Sequence, residues 1–268
     1  MHLVKNAKEW LDNVPKKFER DWHFCKLHNC ILLANDLKWE NYLLLDALQN
    51  WSIALHLTIS LNCQIVVFCT NDVSQSSLRI LYKQFETLQE QYDRLFFAGA
   101  SAQIYELFLK LINEHDLKVF AEGVHYGFEW NKPPPQLNEQ NIQNLSEHEA
   151  QLVMDRWNYS TLDTTIKDVE DLLRASYGLT IKDPSNNFDI GIVMLHPSGY
   201  ITALHVDERY RRMGHAANLL RAIVKKLMEN NLKPLSCTES FNKQSLALHL
   251  KVGFNIATYT FFANLVKK

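Results

Sequence analysis

The sequence predicts a mixed α/β protein that forms two successive domains. Residues 130–146 (WNKPPPQLNEQNIQNLS) combine three prolines with many asparagines and glutamines, and proline continues neither a helix nor a central strand. We therefore predict an α/β domain at residues 1–134 and a second domain at residues 135–268. Of the 268 residues, 47% are hydrophobic, which is enough for a well-packed core.

The first half of the chain mixes strand and helix patterns. Two short apolar runs predict strands, and two longer stretches with apolar residues at steps of three and four predict helices: residues 55–61, 63–69, 74–92 and 101–115. Ser101 is a suitable N-cap for the second helix. Residues 117–130 predict a strand or hairpin, and residues 1–11 are compatible with a short helix. No motif in this half predicts chemistry.

The second half has a clearer order of elements. Ser146 followed by Glu149 predicts a capping box at the start of the first helix. The predicted elements are helix, helix, three strands, helix, strand, helix and strand: residues 146–157, 163–176, 178–183, 188–196, 199–206, 214–230, 234–240, 242–252 and 255–266. This order predicts a mixed sheet with helices on both faces.

Composition excludes several classes of function. The formal net charge is −2, so the chain lacks the positive field of a polybasic nucleic-acid-binding protein. Its longest apolar runs are too short to span a bilayer, so we expect no membrane segment. Five scattered cysteines and no secretory leader indicate reduced thiols in an intracellular, cytoplasmic protein, with mitochondria left open as the other compartment. The sequence predicts no oligomeric state.

A cluster of metal-capable side chains lies in the segment HFCKLHNC, which holds His23, Cys25, His28 and Cys30. All four side chains are able to bind metal, but their spacing does not match a paired zinc motif. We therefore predict no metal site, and we expect buried cysteines on a strand.

The turn DERYRRMG, which joins a predicted strand to a predicted helix, suits an anion. The first turn of a helix has unpaired N–H groups and positive potential. Gly214 lets a phosphate approach the backbone, Ala216 keeps the next position small, and Arg211 and Arg212 supply charged donors. The alternative is an ordinary corner between a strand and a helix, with a solvated basic turn. The turn is neither a P-loop nor a GxGxxG site.

Two motifs resemble the GCN5-related N-acetyltransferase (GNAT) superfamily. Arg211, Gly214 and Ala216 match its coenzyme A pyrophosphate signature R/Q-x-x-G-x-G/A, and residues 242–254 (NKQSLALHLKVGF) match a second family motif. This resemblance covers roughly residues 140–268. Residues 144–159 and 196–206 are also similar to the glycine N-acyltransferase-like branch.

The resemblance implies a splayed GNAT-type sheet with flanking helices, in which acyl-coenzyme A lies between the strand that ends at Val206 and the strand at residues 234–240. It implies cofactor contacts that are mostly to backbone: Leu204, His205, Val206, Arg211, Arg212, Met213, Gly214, His215, Ala216, Asn242 and Ser245. The co-substrate would be acetyl-coenzyme A or a longer acyl-coenzyme A.

The resemblance also implies positions for a catalytic base and acid. Tyr200 stands where relatives often place a glutamate base, and neither it nor Thr202 on the same strand face is a good base near neutral pH. Glu239 is our preferred base, with a solvated carboxylate or a helix cap as the alternative. His249 stands where a tyrosine acid is common, with a helix-surface histidine as the alternative.

Strand parity gives two further expectations. His205 has the opposite parity to Tyr200, so we expect it to be a packed or hydrogen-bonded core histidine. Cys237 shares the parity of Glu239, so we expect it to line the cleft, without forming a covalent acyl intermediate.

The sequence therefore predicts a coenzyme A-dependent N-acyltransferase that acts on the amine of a small molecule or amino acid. A non-catalytic acyl-coenzyme A sensor or scaffold with the same fold is the alternative. A third hypothesis is that the first half is a degenerate copy of the same fold.

Overall fold

The computed structural model describes residues 2–4, 7–12, 16–47, 50–59, 63–70, 73–137, 141–160 and 164–268. It contains two compact units: Met1–His125 with Tyr259–Lys268, and Tyr126–Thr258. The last ten residues pack with the first unit, whose core includes Ala263 and Leu265. This division differs from the predicted boundary at residues 134/135, which placed the final strand entirely in the second domain.

Before residue 130, the described part of the chain contains four α-helices and six strands, nearly all of them in the first unit. The helices are α1 Ala7–Asp12, α2 Trp22–Asp36, α3 Gln75–Gln91 and α4 Ala102–Glu114. The strands are β1 His2–Val4, β2 Asn41–Ala47, β3 Asn50–Ile59, β4 Cys63–Cys69, β5 Arg94–Ala100 and β6 Leu117–Glu129. The predicted helices α3 and α4 are confirmed, with Ser74 and Ser101 as their N-caps.

The sheet of the first unit has a core on each face. Strands β1 to β4 are antiparallel neighbours, and β4 pairs in parallel with β5. Helices α3 and α4 cover one face through Phe85 and Phe108, which contact Phe97 edge-on. Helix α2 covers the other face, where Leu27 and Ile31 lie in a separate core cluster. Burial of aromatic surface on both faces stabilises this unit.

Of two predictions for the start of the chain, one is wrong and the other holds in part. Residues 23–30 belong to helix α2, not to a strand, because Phe24, Leu27 and Ile31 repeat at helical spacing and the Asp21 side chain caps the Phe24 N–H. Cys25 and Cys30 are still buried, reduced cysteines, as expected. The N-terminal segment begins with the short strand β1 and becomes helical only at Ala7.

The second unit has the order of elements that the sequence predicts. Its strands are β7 Ile142–Asn144, β8 Gly178–Lys182, β9 Asp189–Leu195, β10 Ile201–Val206 and β11 Leu235–Glu239, and β12 Asn255–Lys267 follows. Its helices are α5 Ala150–Arg156, α6 Ile166–Arg174, α7 His215–Glu229 and α8 Lys243–Val252. The capping box of Ser146 and Glu149 is confirmed and begins a 3-10 turn that leads into α5. Predicted helical residue 163 lies outside the described residues.

Within the second unit, β7, β8, β9 and β10 are antiparallel neighbours, and β10 pairs in parallel with β11 at Ile201 and Ser236. Helix α7 packs on this sheet through Leu219, Ile223 and Leu227, which are fully buried. The strand β10 therefore runs directly into the turn that starts α7. This places the predicted anion turn beside the β10–β11 pair.

The two halves of the chain repeat one order of elements. In the first, antiparallel strands β2, β3 and β4 are followed by α3, the parallel strand β5, α4 and β6. In the second, β8, β9 and β10 are followed by α7, the parallel strand β11, α8 and β12. This repeat is what we expect if the first half is a copy of the same fold.

The described ranges show neither a membrane-spanning helix nor a metal-binding cluster. None of the helices described there is long and apolar enough to cross a membrane. No group of three or more His, Cys, Asp or Glu side chains in those ranges is arranged to hold a metal ion, which includes the described histidines and cysteines of α2.

Candidate active site

The N-terminus of α7 is open to an anion. Its N-cap, Gly214, has a left-handed φ of 91°, and no side chain caps the helix. A Cβ added at Gly214 would meet no atom within 4 Å, so the space in front of the helix is clear. Arg212 also has a positive φ, of 65°. Backbone of this kind turns successive N–H groups toward a single concave site.

The two arginines of the turn have different roles. Arg211 donates from Nε to the Val206 carbonyl at 3.1 Å and from Nη1 to Glu208 at 3.1 Å. Its guanidinium therefore ties the turn back to the end of β10, which differs from the predicted role as a phosphate donor. Arg212 is exposed, so its guanidinium is the charged donor available to a ligand. Met213 is also exposed.

An aromatic clamp holds the same turn, and sequence reasoning did not find it. Phe188 and Tyr210 are stacked with ring centroids 6.1 Å apart, and the Arg209 guanidinium lies 4.8 Å from the Phe188 ring. Tyr210 donates its hydroxyl to Asp183 at 2.9 Å, and His215 contacts the Tyr210 ring edge-on at 6.5 Å. These contacts join residues distant in sequence, so no local pattern could have indicated them.

A β-bulge interrupts β10 at the predicted cofactor strand. Its pairing with β9 shifts between Thr202 and His205, and Ala203 has a positive φ of 52°. Past the bulge, Leu204 and His205 are both partly exposed, because the extra residue breaks the alternation of faces. The prediction that His205 is a packed core residue is therefore wrong. Bulged strands leave backbone groups unpaired, as a pantetheine-binding strand requires.

His205 lies in a positively charged surrounding. Its partial burial, together with the Arg156 and Arg211 guanidiniums, lowers the pKa of the imidazole, although Asp207 and Glu208 oppose this. Arg156 is itself fixed by donating to the Asp189 carbonyl at 2.8 Å. A neutral His205 beside two arginines leaves this end of β10 suited to a polyanionic ligand.

Glu239 ends β11, the strand parallel to β10. The burial of β11 alternates so that Cys237 and Glu239 are partly exposed on one face, while Ser236 and Thr238 are buried. The predicted shared face is confirmed. The carboxylate accepts a hydrogen bond from the hydroxyl of Tyr159, a residue that the sequence did not single out. This bond is the main reason that the pKa of Tyr159 is raised to about 12.

Asn242 and Ser245 occupy the first turn of α8. Asn242 is the N-cap and accepts the Ser245 N–H on Oδ1 at 3.0 Å, so its Nδ2 is not used by the cap. Ser245 lies in contact with His249, with its hydroxyl 3.3 Å from Nδ1. The cofactor contacts of Asn242 and Ser245 stay predictions, and in the structure the Ser245 hydroxyl contacts the imidazole.

His249 is a core residue with only 3% of its surface exposed. Nδ1 lies 2.8 Å from the Ser245 carbonyl, which only accepts, so Nδ1 carries the proton and Nε2 accepts from the Ser236 hydroxyl at 2.8 Å. The ring stacks on Phe128 at 4.6 Å. Burial lowers the pKa of the imidazole, so it stays neutral. We therefore replace both predictions, acid and surface histidine, by a structural role.

Tyr200 is also packed. It precedes β10, has 8% of its surface exposed, and stacks on the ring of His196 with centroids 4.5 Å apart. His196 accepts the Ser198 N–H on Nδ1 at 2.9 Å and contacts Trp157 edge-on. Tyr200 therefore packs at the start of β10, and Glu239 is the carboxylate at the end of the neighbouring strand β11.

Comparison with known proteins agrees with this geometry. Residues 173–254 match the model of the Acetyltransferase (GNAT) family. A Drosophila protein of known structure has a TM-score of 0.81 at 15% identity, covering 99% of this chain and 98% of that one. A GCN5-related N-acetyltransferase-like protein from Streptococcus suis has a TM-score of 0.52 at 15% identity, covering 97% and 99%. No curated protein matches the chain.

A tandem GNAT protein from the clavulanic acid biosynthesis pathway has a TM-score of 0.50 at 9% identity, covering 90% of this chain and 86% of that one. At such identities the likeness shows the fold alone. The neighbours therefore show that the chain has the GNAT fold, and the family match places residues 173–254, which include the anion turn, within the region that the Acetyltransferase (GNAT) family model describes.

The corresponding end of the first unit is closed by its own side chains. The N-terminus of α3 is capped by Ser74, whose hydroxyl accepts the Ser77 N–H at 3.1 Å. At the end of β5, the Gly99 carbonyl accepts from His23 Nδ1 at 3.2 Å and from the buried Lys26 at 3.3 Å. The N-terminus of α3 is therefore occupied by a side-chain hydroxyl, whereas that of α7 has no side-chain cap.

We therefore expect one molecule of acyl-coenzyme A to bind per chain. Isothermal titration of the full chain should give a stoichiometry of about one, because only α7 offers uncapped N–H groups of the two equivalent helices. Two equivalent sites, or a second site that survives blocking of the α7 turn, would contradict this expectation.

Proposed function

We propose that this chain transfers an acyl group from acyl-coenzyme A to the amine of a small molecule or amino acid, as the glycine N-acyltransferase-like branch does. The observation that carries the proposal is the position of Glu239. Its partly exposed carboxylate ends the strand parallel to β10, opposite the bulge and close in sequence to Asn242. A carboxylate at this place is able to take a proton from an attacking amine.

The surrounding residues fit the co-substrate. His205 pairs with Ile192 of β9, whereas β10 pairs with β11 at Ile201 and Ser236. The edge of Leu204 and His205 that faces away from β9 would hold the pantetheine arm as an added strand, and the N–H groups of residues 211–216 would hold the pyrophosphate. Arg212 would add a charged donor. The acyl group then lies between the bulge and Glu239, where a bound amine can reach the thioester carbon.

The second candidate function is a sensor that binds acyl-coenzyme A without turnover. The packing of Tyr200 on His196 favours it, because the position where relatives often place a glutamate here holds a buried aromatic ring. The two functions share the anion turn and differ only in whether Glu239 acts on a substrate.

Thiol release with a panel of amines and amino acids tests the proposal. We expect turnover in the wild type, and a fall in kcat of about 10²- to 10⁴-fold in Glu239→Gln, the range typical of a lost general base. Binding of acyl-coenzyme A by titration should stay within about twofold, since the anion turn is untouched. Glu229→Gln, at the exposed far end of α7, is the matched control and should change neither quantity.

Binding of acyl-coenzyme A without thiol release on any amine would favour the sensor. Full turnover in Glu239→Gln would remove this carboxylate as the base while leaving the activity intact.

A further inference from the structure

Tyr159 stands out because it joins two distant parts of the second unit. It follows α5, and its hydroxyl donates to Oε1 of Glu239 at the end of β11. Tyr159 is 47% exposed, so the pair lies at the surface, at the end of β11, and not within the core. The contact links positions 80 residues apart in sequence.

Acyl transfer from a thioester needs a proton donor as well as a base, because the departing thiolate must be protonated. Neither the predicted donor His249 nor the other predicted catalytic residue, Tyr200, suits this task. His249 is buried, neutral and bonded at both ring nitrogens, and Tyr200 is packed against His196. Tyr159 is the exposed hydroxyl in contact with the base. Its raised pKa of about 12 keeps it protonated at neutral pH, as a donor must be.

We propose that Tyr159 is the general acid of acyl transfer and that Glu239 restores its proton. This inference rests on the proposed function. The acceptor attacks as a neutral amine after its ammonium proton has gone to solvent. Its nitrogen forms a bond to the thioester carbon, and Glu239 takes the N–H proton.

The carbon–sulfur bond then breaks, with its electron pair leaving on sulfur. Tyr159 gives its hydroxyl proton to this thiolate, which leaves as the free thiol of coenzyme A. The resulting phenolate recovers a proton from the Glu239 carboxylic acid through the existing hydrogen bond. The products are the amide and the thiol, and both side chains return to their starting protonation states.

The test is Tyr159→Phe in the full chain, measured with two acyl donors. With acyl-coenzyme A we expect kcat to fall about 100-fold or more while the Kd for acyl-coenzyme A stays within about twofold. With the same acyl group on an aryl thiol, which leaves more readily because its pKa is lower, we expect the loss to shrink to less than about fivefold. A residue that only oriented Glu239 would be needed equally for both donors.

Tyr105→Phe is the matched control. Tyr105 also donates its hydroxyl to a glutamate, Glu122, at 3.3 Å, but it lies in the first unit. This variant should show wild-type kcat with both donors.

Three outcomes would overturn the inference. Unchanged kcat in Tyr159→Phe with a working wild type would overturn the acid role alone. An equal loss with both donors would do the same and would make Tyr159 a positioning residue. Absence of thiol release in the wild type with every amine would overturn both the acid role and the proposed function.

Discussion

Replacing Gly214 by glutamate is expected to weaken binding of acyl-coenzyme A at least about 100-fold, which corresponds to roughly 3 kcal/mol. Two effects act together. The new carboxylate would stand at the uncapped N-terminus of α7, where it repels a phosphate and competes for the same N–H groups. A side chain at a φ of 91° also costs roughly 1–3 kcal/mol of backbone strain.

Gly214→Ala separates these two effects. It carries the same backbone strain, and its methyl group meets no atom within 4 Å, but it adds no charge. We expect similar melting temperatures for the two variants, with affinity in Gly214→Ala within about tenfold of the wild type. Isothermal titration with acetyl- and longer acyl-coenzyme A measures both. Tight binding by Gly214→Glu would show that the anion site lies elsewhere.

The anion turn could be predicted from sequence because its requirement is local. A backbone that approaches a phosphate at a helix start needs glycine at one position, and Gly214 is in that conformation. The order of elements in the second unit was predictable for the same reason, since each capping box and strand pattern is contained in a few residues.

Side-chain roles were predicted less well, because they depend on contacts between distant residues. Strand parity placed His205 in the core, and one extra residue at Ala203 overturned it. His249 matched a motif position, yet its environment is set by Phe128 and Ser236, which come from other elements. The Tyr159–Glu239 bond gave no sequence signal at all.

Acidification is expected to destabilise the first unit, chiefly through His56 and His23. Both are buried. Desolvation lowers the pKa of His56 to about 3; for His23, desolvation and the nearby Lys26 ammonium lower the pKa to about 4, against an ordinary value of 6.5. The unfolded chain therefore takes up these protons first. The stabilisation is fully present above about pH 6.5 and is lost as the pH falls toward 4 and 3.

The loss of stability is largest for His56, because protonation would place a charge on a nitrogen that lacks an acceptor. His56 donates from Nε2 to Asn41 at 3.3 Å, and its Nδ1 has no hydrogen-bond partner, so a proton there would be a buried charge without an acceptor. At about 1.36 kcal/mol per pKa unit, the shifts correspond to roughly 5 kcal/mol for His56 and 3 kcal/mol for His23.

Urea unfolding between pH 7 and pH 4.5 measures this effect in the wild type and in His56→Gln. The glutamine keeps a donor for Asn41 but does not titrate, so the free energy of unfolding should fall less steeply, by about 1.4 kcal/mol per pH unit below pH 6. His148→Gln, at an exposed position, is the control and should reproduce the wild-type slope. Equal slopes for His56→Gln and the wild type would contradict the prediction, because they would mean that the pKa of His56 is not lowered in the folded protein.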